Sequence, residues 1–439
     1  MDSENSPSSN HDSSRRIARL PSDLVNQIAA GEVVERPSSL IKELVENSLD
    51  AGSTRIEVHL KEGGLAEIAI LDDGCGICEE DLPLAVERHT TSKLNSFKDL
   101  ESISTFGFRG EALSSIASVS DFSIRSRPRN SDRGVVLHVP YGQTEEPKPI
   151  GCPPGTQVIV KNLFSKVPAR FKFLRSQTTE LSHCAKIFRE LALGNPQTSF
   201  FLHHNDRLLA KFTAQNRAER FKEVLKPEWE PLHLTDSIPE MAFEAFLSPF
   251  DWTQERGELT FFINQRPVKN RLLLSCLKQS YTEIAGPHHE PSGVFYLDIQ
   301  GDWVDVNVHP QKLEVRFYRQ EKIYSWILTS VKKQLLRLKR DFVSSEPARE
   351  FDRQIPLSSE NGLFPGGYPS TLPWNVSASS PFRYLGVLQS KYFLLENQEG
   401  LFILNPKAYL EREYFLNLQE AFEKQSIPQE PLSVPVVLS

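Results

Sequence analysis

The sequence predicts a multidomain protein of mixed α and β structure. Two observations carry this. From about residue 17 to 342, amphipathic helical patterns alternate with short apolar strand patterns and Gly-rich turns. The 439 residues are 39% apolar and 24% charged, which is ordinary for a soluble globular chain and excludes wholesale disorder. No run of about 18 apolar residues occurs, so no membrane span is expected. Fifty Lys and Arg against 57 Asp and Glu give a formal charge of −7. Net charge therefore does not drive nucleic-acid binding, which would have to come from local patches. The five cysteines, without an export signal, are expected as free thiols in a reducing cytosol.

Texture separates five segments. Residues 1–16 are polar, lack an apolar signal region, and read as a disordered tail. Residues 17–215 form the expected first domain. Residues 216–342 form a second, ending in a basic helix near 320–340. Residues 343–381 are rich in Ser, Pro and Gly and read as a linker. Residues 382–439 regain strands at 384–388, 391–395 and 401–404, with a helix from about 407 to 424. So short a piece buries little core by itself. It is expected to need a partner chain or to begin a domain that the chain does not complete. No repeat with a period of 20–50 residues is found.

The first chemistry-bearing cluster is PSSLIKELVENSLDAG (37–52). Pro37 suits a first helical turn and Gly52 a C-terminal cap. Leu40, Ile41, Leu44, Val45 and Leu49 share one helical face, and Glu43, Glu46, Asn47 and Asp50 the other. Glu43 and Asn47, four apart, stack one turn over the other. A carboxylate beside an amide oxygen can position a water and hold a hard cation. Taken alone, this helix is more simply read as amphipathic with a solvated polar face.

In IAILDDGCGI (68–77) a strand runs into an acidic, Gly-rich turn. Asp72 at the strand end can accept from an exocyclic amine such as adenine presents, and Gly74 and Gly76 permit close approach of a ligand. A plain Asp-Gly hairpin is the alternative. Cys75 and Cys78 form a CxxC without a second pair, which reads as coincidence and not as a zinc site.

RHTTSK (88–93) offers Thr91, Ser92 and Lys93 to phosphates, and Gly107 and Gly110 free backbone amides before a helix start. A loop followed by an ordinary helix fits too. No GxxxxGK[ST] or GxGxxG loop occurs, so a bound nucleotide would need another geometry. Thr156, in GCPPGTQVIV (151–160), can add a hydroxyl to a base pocket. Seven basic residues against two acidic ones over 161–190, and nine against two over 311–340, are patches suited to phosphates or to a solvated face. FFINQRPVKNR (261–271) is a further basic segment. Lys312 follows a Pro turn in DVNVHPQKLEVRF (305–317), where it can reach away from its own domain, while His309 reads as structural.

In this order and spacing, QIAAGEVVERP (27–37), KELVENSLDAG (42–52), LDDGCGI (71–77), RHTTSK, GFRGEAL (107–113), PARFKFL (168–174) and DVNVHPQKLEVRF resemble the MutL family of DNA mismatch repair proteins over about residues 17–340. The resemblance implies an α+β chain. A GHKL-type ATPase sandwich would be followed by a ribosomal-protein-like α+β domain, the linker, and a partial C-terminal dimerisation domain. It implies ATP and Mg2+ as cofactors. Glu43 then matches the general base, Asn47 the magnesium ligand, and Asp72 the adenine-binding carboxylate, with Gly74, Gly76 and Thr156 beside it. Thr91, Ser92, Lys93, Gly107, Phe108, Arg109, Gly110, Glu111, Ala112 and Leu113 match the phosphate lid, and Lys312 the second-domain lysine that reaches the γ-phosphate.

DNA contact is expected at Lys161, Lys172 and Arg266. The implied function is an ATP-switched matchmaker and clamp, a homodimer that contacts DNA non-specifically. It would couple a MutS-like mismatch sensor to a downstream nuclease and helicase, in the cytoplasm at the nucleoid. An ATPase of the topoisomerase or chaperone type is the alternative. Two departures stand out. Asp73 occupies a position where the family often has Asn, placing charge near the base pocket. Asn405-Pro406-Lys407-Ala408 replaces a metal motif beginning Asp-Gln-His-Ala, so endonuclease activity is not expected, because a lysine does not replace a neutral imidazole on a metal.

Overall fold

The computed structural model describes residues 34–93, 105–107, 110–249, 252, 258–286, 290–305 and 315–345, and beyond them 383–388, 392–397, 400–406, 409 and 412. The chain divides into two units, Met1–Arg349 and Glu350–Ser439.

The first unit opens with helix α1 (Pro37–Asp50), where Pro37 takes a first-turn position. Its apolar stripe is fully packed: Leu40, Ile41, Leu44 and Val45 are at most 2% exposed. Gly52 just beyond it has φ +70°, a left-handed conformation that favours glycine. Strands β1 (Arg55–Lys61) and β2 (Glu67–Asp72) follow, with a short helix α2 (Leu82–Ala85) and helix α3 (Ala112–Ser118). Then come β3 (Asp121–Arg127), β4 (Gly134–Pro140), β5 (Lys148–Ile150) and β6 (Gly155–Lys161). The short α4 (Pro168–Phe171) and long α5 (Gln177–Gly194) lead to β7 (Ser199–His204), β8 (Arg207–Phe212) and α6 (Arg217–Leu225).

The eight strands form one sheet in the order β5-β4-β3-β6-β2-β1-β7-β8. Pairing is antiparallel except between β1 and β7. Alternation sorts the residues: Ile56, Val58 and Leu60 of β1 enter the core, while Arg55, Glu57, His59 and Lys61 take the other face. Helices α1 and α5 pack on each other and on the sheet.

A second sheet contains β9 (Leu232–Ile238), β10 (Met241–Leu247), β11 (Leu259–Ile263), β12 (Arg266–Val268) and β13 (Gly293–Ile299), in the order β12-β11-β13-β10-β9. Helices α7 (Arg271–Ala285) and α8 (Gln320–Ser345) pack together, and Leu273, Leu277, Ile323 and Ile327 meet Phe243, Phe261, Phe295 and Leu297 in a second core. The opposite face of this sheet gives Phe246, Phe262, Val294 and Tyr296 to the first core. Helix α6, which the sequence pattern places in the second segment, likewise packs Phe221 and Val224 into the first core.

The short strands β14 (Val304–Asp305) and β15 (Arg316–Phe317) pair where the sequence predicts strands around a Pro turn. Lys312 and His309 lie outside the described residues. In the second unit β16 (Arg383–Leu388), β17 (Tyr392–Asn397) and β18 (Gly400–Leu404) form an antiparallel meander, close to the expected strands. The helix expected at about 407–424 falls largely outside the described residues. No described helix is long and apolar enough to cross a membrane.

Where α5, α6 and the first sheet meet, Arg220 is fully buried. Its guanidinium donates to the carbonyls of Ala192, Pro196, Thr198 and Thr213 at 2.6–3.1 Å. Burial pushes its pKa down to about 10. An unpaired buried acceptor costs about 1–3 kcal/mol. Arg220→Ala should therefore lower the unfolding free energy by at least about 3 kcal/mol, read as a drop in the urea midpoint. An unchanged midpoint would show that water replaces the guanidinium without penalty.

Candidate functional site

The polar face of α1 is covered, not solvated. Glu46 is 2% exposed and lies 3.6 Å from Lys42, and the Asp50 side chain is 4% exposed. Glu43 and Asn47 are half-buried. Asp50 gathers three donors. Its Oδ2 accepts from Lys93 Nζ at 2.6 Å and from the Gly107 amide at 2.9 Å, and its Oδ1 from the Phe106 amide at 2.7 Å. Lys93 Nζ also donates to Asn47 Oδ1 at 3.0 Å. A Cβ on Gly107 would lie 3.0 Å from Lys93 Nζ and 3.2 Å from Asn47 Oδ1. Asn47, Lys93 and Gly107, each predicted from sequence, are thus brought together. Asp50, which joins them, was predicted only as part of the polar face. Its signal was the continuation of the 43–47 face by one more turn.

The second cluster lies at the end of β2. Asp72 is opposite Thr156 in the antiparallel register between β2 and β6. Its Oδ2 accepts from Ser48 Oγ of α1 at 2.8 Å and its Oδ1 from the Gly74 amide at 2.9 Å. Burial raises its pKa, outweighing the hydrogen bonds from Ser48, Gly74, Thr156 and Ser53. Thr156 Oγ1 lies 2.9 Å from Ser126 Oγ, which in turn accepts from the Ile77 amide at 2.8 Å. Ser48 and Ser126 carry no motif signal and were missed.

The glycines here serve packing. A Cβ on Gly76 (φ +74°) would lie 2.3 Å from the Arg127 carbonyl, and one on Gly74 2.8 Å from Ala51 Cβ. Asp73 turns away from this cluster. Its Oδ1 accepts from the Thr54 and Arg55 amides at 2.8 Å, and its Oδ2 from Thr54 Oγ1. Partial burial alone would raise its pKa, but these bonds hold it below the usual carboxylate value. The charge expected near the base pocket is directed to the start of β1 instead.

The remaining lid residues are partly described. Thr91 Oγ1 accepts from the Lys93 amide at 3.2 Å, within one turn. Gly110 (φ +63°) is packed against Thr90, whose carbonyl oxygen would lie 2.2 Å from a Cβ there, and its own carbonyl accepts from the His89 amide at 3.1 Å. Glu111 lies 3.5 Å from His89, and Ala112 and Leu113 begin α3. Ser92 sits in the bend before Lys93. Phe108 and Arg109 lie outside the described residues.

Arg266, expected on a DNA-facing surface, is placed differently. It is 6% exposed, and its guanidinium donates to the carbonyls of Thr105 and Phe106 and lies 5.2 Å from the Phe106 ring. Burial lowers its pKa, opposed by Glu46, Asp50 and Glu43. A cation from the second sheet thus grips the carbonyls of the segment whose amides Asp50 holds. A guanidinium so buried does not present its charge to a duplex. Lys161 is half-exposed, 3.5 Å from Glu67. Lys172 is exposed between Phe171 and Phe173, themselves 54% and 79% exposed. Cys75 and Cys78 are exposed free thiols.

Comparison with known proteins adds three findings. Residues 35–157 match a family model described as histidine kinase-, DNA gyrase B-, and HSP90-like ATPase, and residues 228–336 one described as DNA mismatch repair protein, C-terminal domain. The DNA mismatch repair protein MutL of Thiobacillus denitrificans is 33% identical over 96% of this chain and 78% of its own length. MutL of Coxiella burnetii is 35% identical over 96% and 77%. A solved structure titled as the N-terminal domain of a DNA repair protein shares the fold, with a TM-score of 0.61 and 21% identity over 72% of this chain and 99% of its own. Asn47, Asp72, Lys93, Gly107 and Thr156 fall in the first match, and Arg266 in the second.

Arg266→Ala should free residues 105–107 from the second sheet. Hydrogen exchange at the Phe106 and Gly107 amides is expected to quicken at least tenfold, about 1.4 kcal/mol of lost protection. Unchanged exchange at those amides would mean that Asp50 alone fixes the segment.

Proposed function

This chain belongs to the MutL family of DNA mismatch repair proteins, and from that premise we propose how its residues bind and hydrolyse ATP. The family carries a GHKL ATPase, and the same assignment covers this chain. One observation supports the reading of the site most strongly: Lys93 and Gly107 converge on Asn47 and Asp50, one and two turns along α1 from Glu43, and the same helix supplies Ser48 to Asp72. Both ends of a nucleotide site thus hang on α1.

Asp72 accepts the exocyclic amine of adenine, with Thr156, Gly74 and Gly76 shaping the turn around it. Glu43 orients the attacking water and takes its proton. Asn47 Oδ1 suits Mg2+, because it is a hard oxygen that already accepts from a cation, the Lys93 ammonium. When bound, Mg2+ supplies neutralisation of phosphate charge. Lys93, Thr91, Ser92 and residues 107–113 are assigned to the phosphates, and Lys312 to the γ-phosphate from the second domain; Phe108, Arg109 and Lys312 are assigned by the family resemblance alone. Arg266 ties the 105–107 segment to that second domain, so ordering of the lid and placement of the second sheet are linked.

On this reading residues 17–215 carry the ATPase, with α6 packed into its core from beyond that bound, 216–342 the transducer, 343–381 a linker and 382–439 part of the dimerisation domain. ATP turnover is slow and acts as a switch. The chain works as a homodimeric clamp in the cytoplasm, coupling a MutS-like sensor to nuclease and helicase at the nucleoid. Asn405 stands at the Asp position and Lys407 at the His position of a nicking motif, so both expected metal ligands are missing and nicking of DNA is not expected. A topoisomerase or chaperone task is not favoured, since the second family match and the relatives are mismatch repair proteins.

Glu43→Ala should lower Mg2+-dependent kcat by about 10²–10⁴ while nucleotide binding persists, and Asn47→Ala should weaken Mg-ATP binding itself. Wild-type turnover retained in Glu43→Ala would remove Glu43 from the mechanism. Non-specific DNA contact rests on Lys172 and Lys161. Lys172→Glu should make the slope of log affinity against log salt shallower by about 1, measured by anisotropy on a short duplex. An unchanged slope would move the DNA surface elsewhere.

A further inference from the structure

The face of the first sheet turned away from its helices carries a group that the ATPase does not use. Glu57 and His59 are two apart on β1, so both project from one face. His203 of β7 lies directly opposite His59 in the parallel register. One ligand atom from each of the three lies within 4.8 Å of the others. The His59 and His203 rings stack with centroids 4.4 Å apart and planes 2° from parallel. Side chains at i and i+2 of one strand, with a third across the ladder, form a tripod standing on a rigid floor. Strands β1 and β7 hold that floor through six paired positions.

We propose that Glu57, His59 and His203 form a zinc-class divalent metal site. The ligand set of two imidazoles and one carboxylate suits zinc with an open fourth position. Glu57 is divided for this task. Its Oε1 is held by Arg55, at 2.8 Å from Nε and 2.7 Å from an outer guanidinium nitrogen, which leaves Oε2 facing His59 Nε2 at 3.2 Å. Arg55 is itself stacked 4.1 Å over the Phe201 ring. It serves as the outer partner that orients a ligating carboxylate. A metal bound there would sit between His59 Nε2 and Glu57 Oε2, and any proton on that nitrogen would leave to solvent.

Two ligand atoms on a tetrahedral zinc at about 2.0–2.1 Å stand roughly 3.3 Å apart. A metal lies in the plane of each imidazole that binds it, so binding requires the two stacked rings to turn out of parallel and the ligand atoms to draw together by side-chain rotation; both histidines are only half-buried. A bound ion would cross-link β1 to β7, the one parallel joint of the sheet.

The test is calorimetric titration of the untagged full chain with Zn2+, repeated with Co2+ for its visible spectrum. One equivalent is expected to bind saturably. His59→Ala and His203→Ala should each weaken it by more than the roughly 10–100-fold that loss of an outer partner costs. Both positions are half-exposed, so circular dichroism should be unchanged and ATP turnover kept. No saturable binding would overturn the proposal. So would binding that survives in the double variant, or a sulfur-to-cobalt charge-transfer band placing the metal on the exposed Cys75 and Cys78.

Discussion

The Asp50 carboxylate is the joint on which the candidate site depends. It is almost wholly buried, and it stays there because an ammonium and two backbone amides satisfy it. A buried carboxylate without such partners would be expelled or protonated. Through these bonds a helix, a lysine more than 40 residues downstream in sequence and the 105–107 segment become one polar cluster. Arg266 then closes it from the carbonyl side. The peptide units at 105–107 are held along both edges, anion against the N–H groups and cation against the C=O groups, by charge-assisted hydrogen bonds that are stronger than neutral ones.

The second sheet carries a comparable division of labour. Neighbouring residues on one strand, Phe261 and Phe262 or Phe295 and Tyr296, enter different cores. The sheet is hydrophobic on both sides, one side closed by α7 and α8 and the other by the first core. Tyr296 adds a polar tie, donating its hydroxyl to the Leu193 carbonyl at 3.1 Å. Packing, and not a flexible tether, therefore joins the ATPase sheet to the sheet that carries Arg266.

What was legible in the sequence was local. The i,i+4 spacing of Glu43 and Asn47, the strand ending at Asp72 and the first-turn Pro37 are properties of short windows, and they appear as read. The long-range facts were not legible. That the polar face of α1 is buried depends on residues 93 and 105–107 folding over it, far along the chain. The basic run around Arg266 read as a nucleic-acid surface, because composition does not reveal which cation turns inward. Gly74 and Gly76 read as openings for a ligand, whereas neighbouring protein atoms occupy the space a Cβ would need. Asp73 read as added charge at the pocket, yet the start of β1 draws it aside. Helix α6 carries its own amphipathic pattern, which shows that a core exists but not which one.

The sharing of one sheet between two cores bears on how the chain can be divided. A fragment ending at 215, where texture places a boundary, would lose Phe221, Val224, Phe246, Phe262, Val294 and Tyr296 from its interior. It would also lose Arg220 and leave four carbonyls bare. Such a fragment would carry an open apolar wound where its wall had been. The smallest excisable piece is set by the far edge of the second sheet and its covering helices, and any shuffling of the ATPase half onto a new partner must bring that wall along.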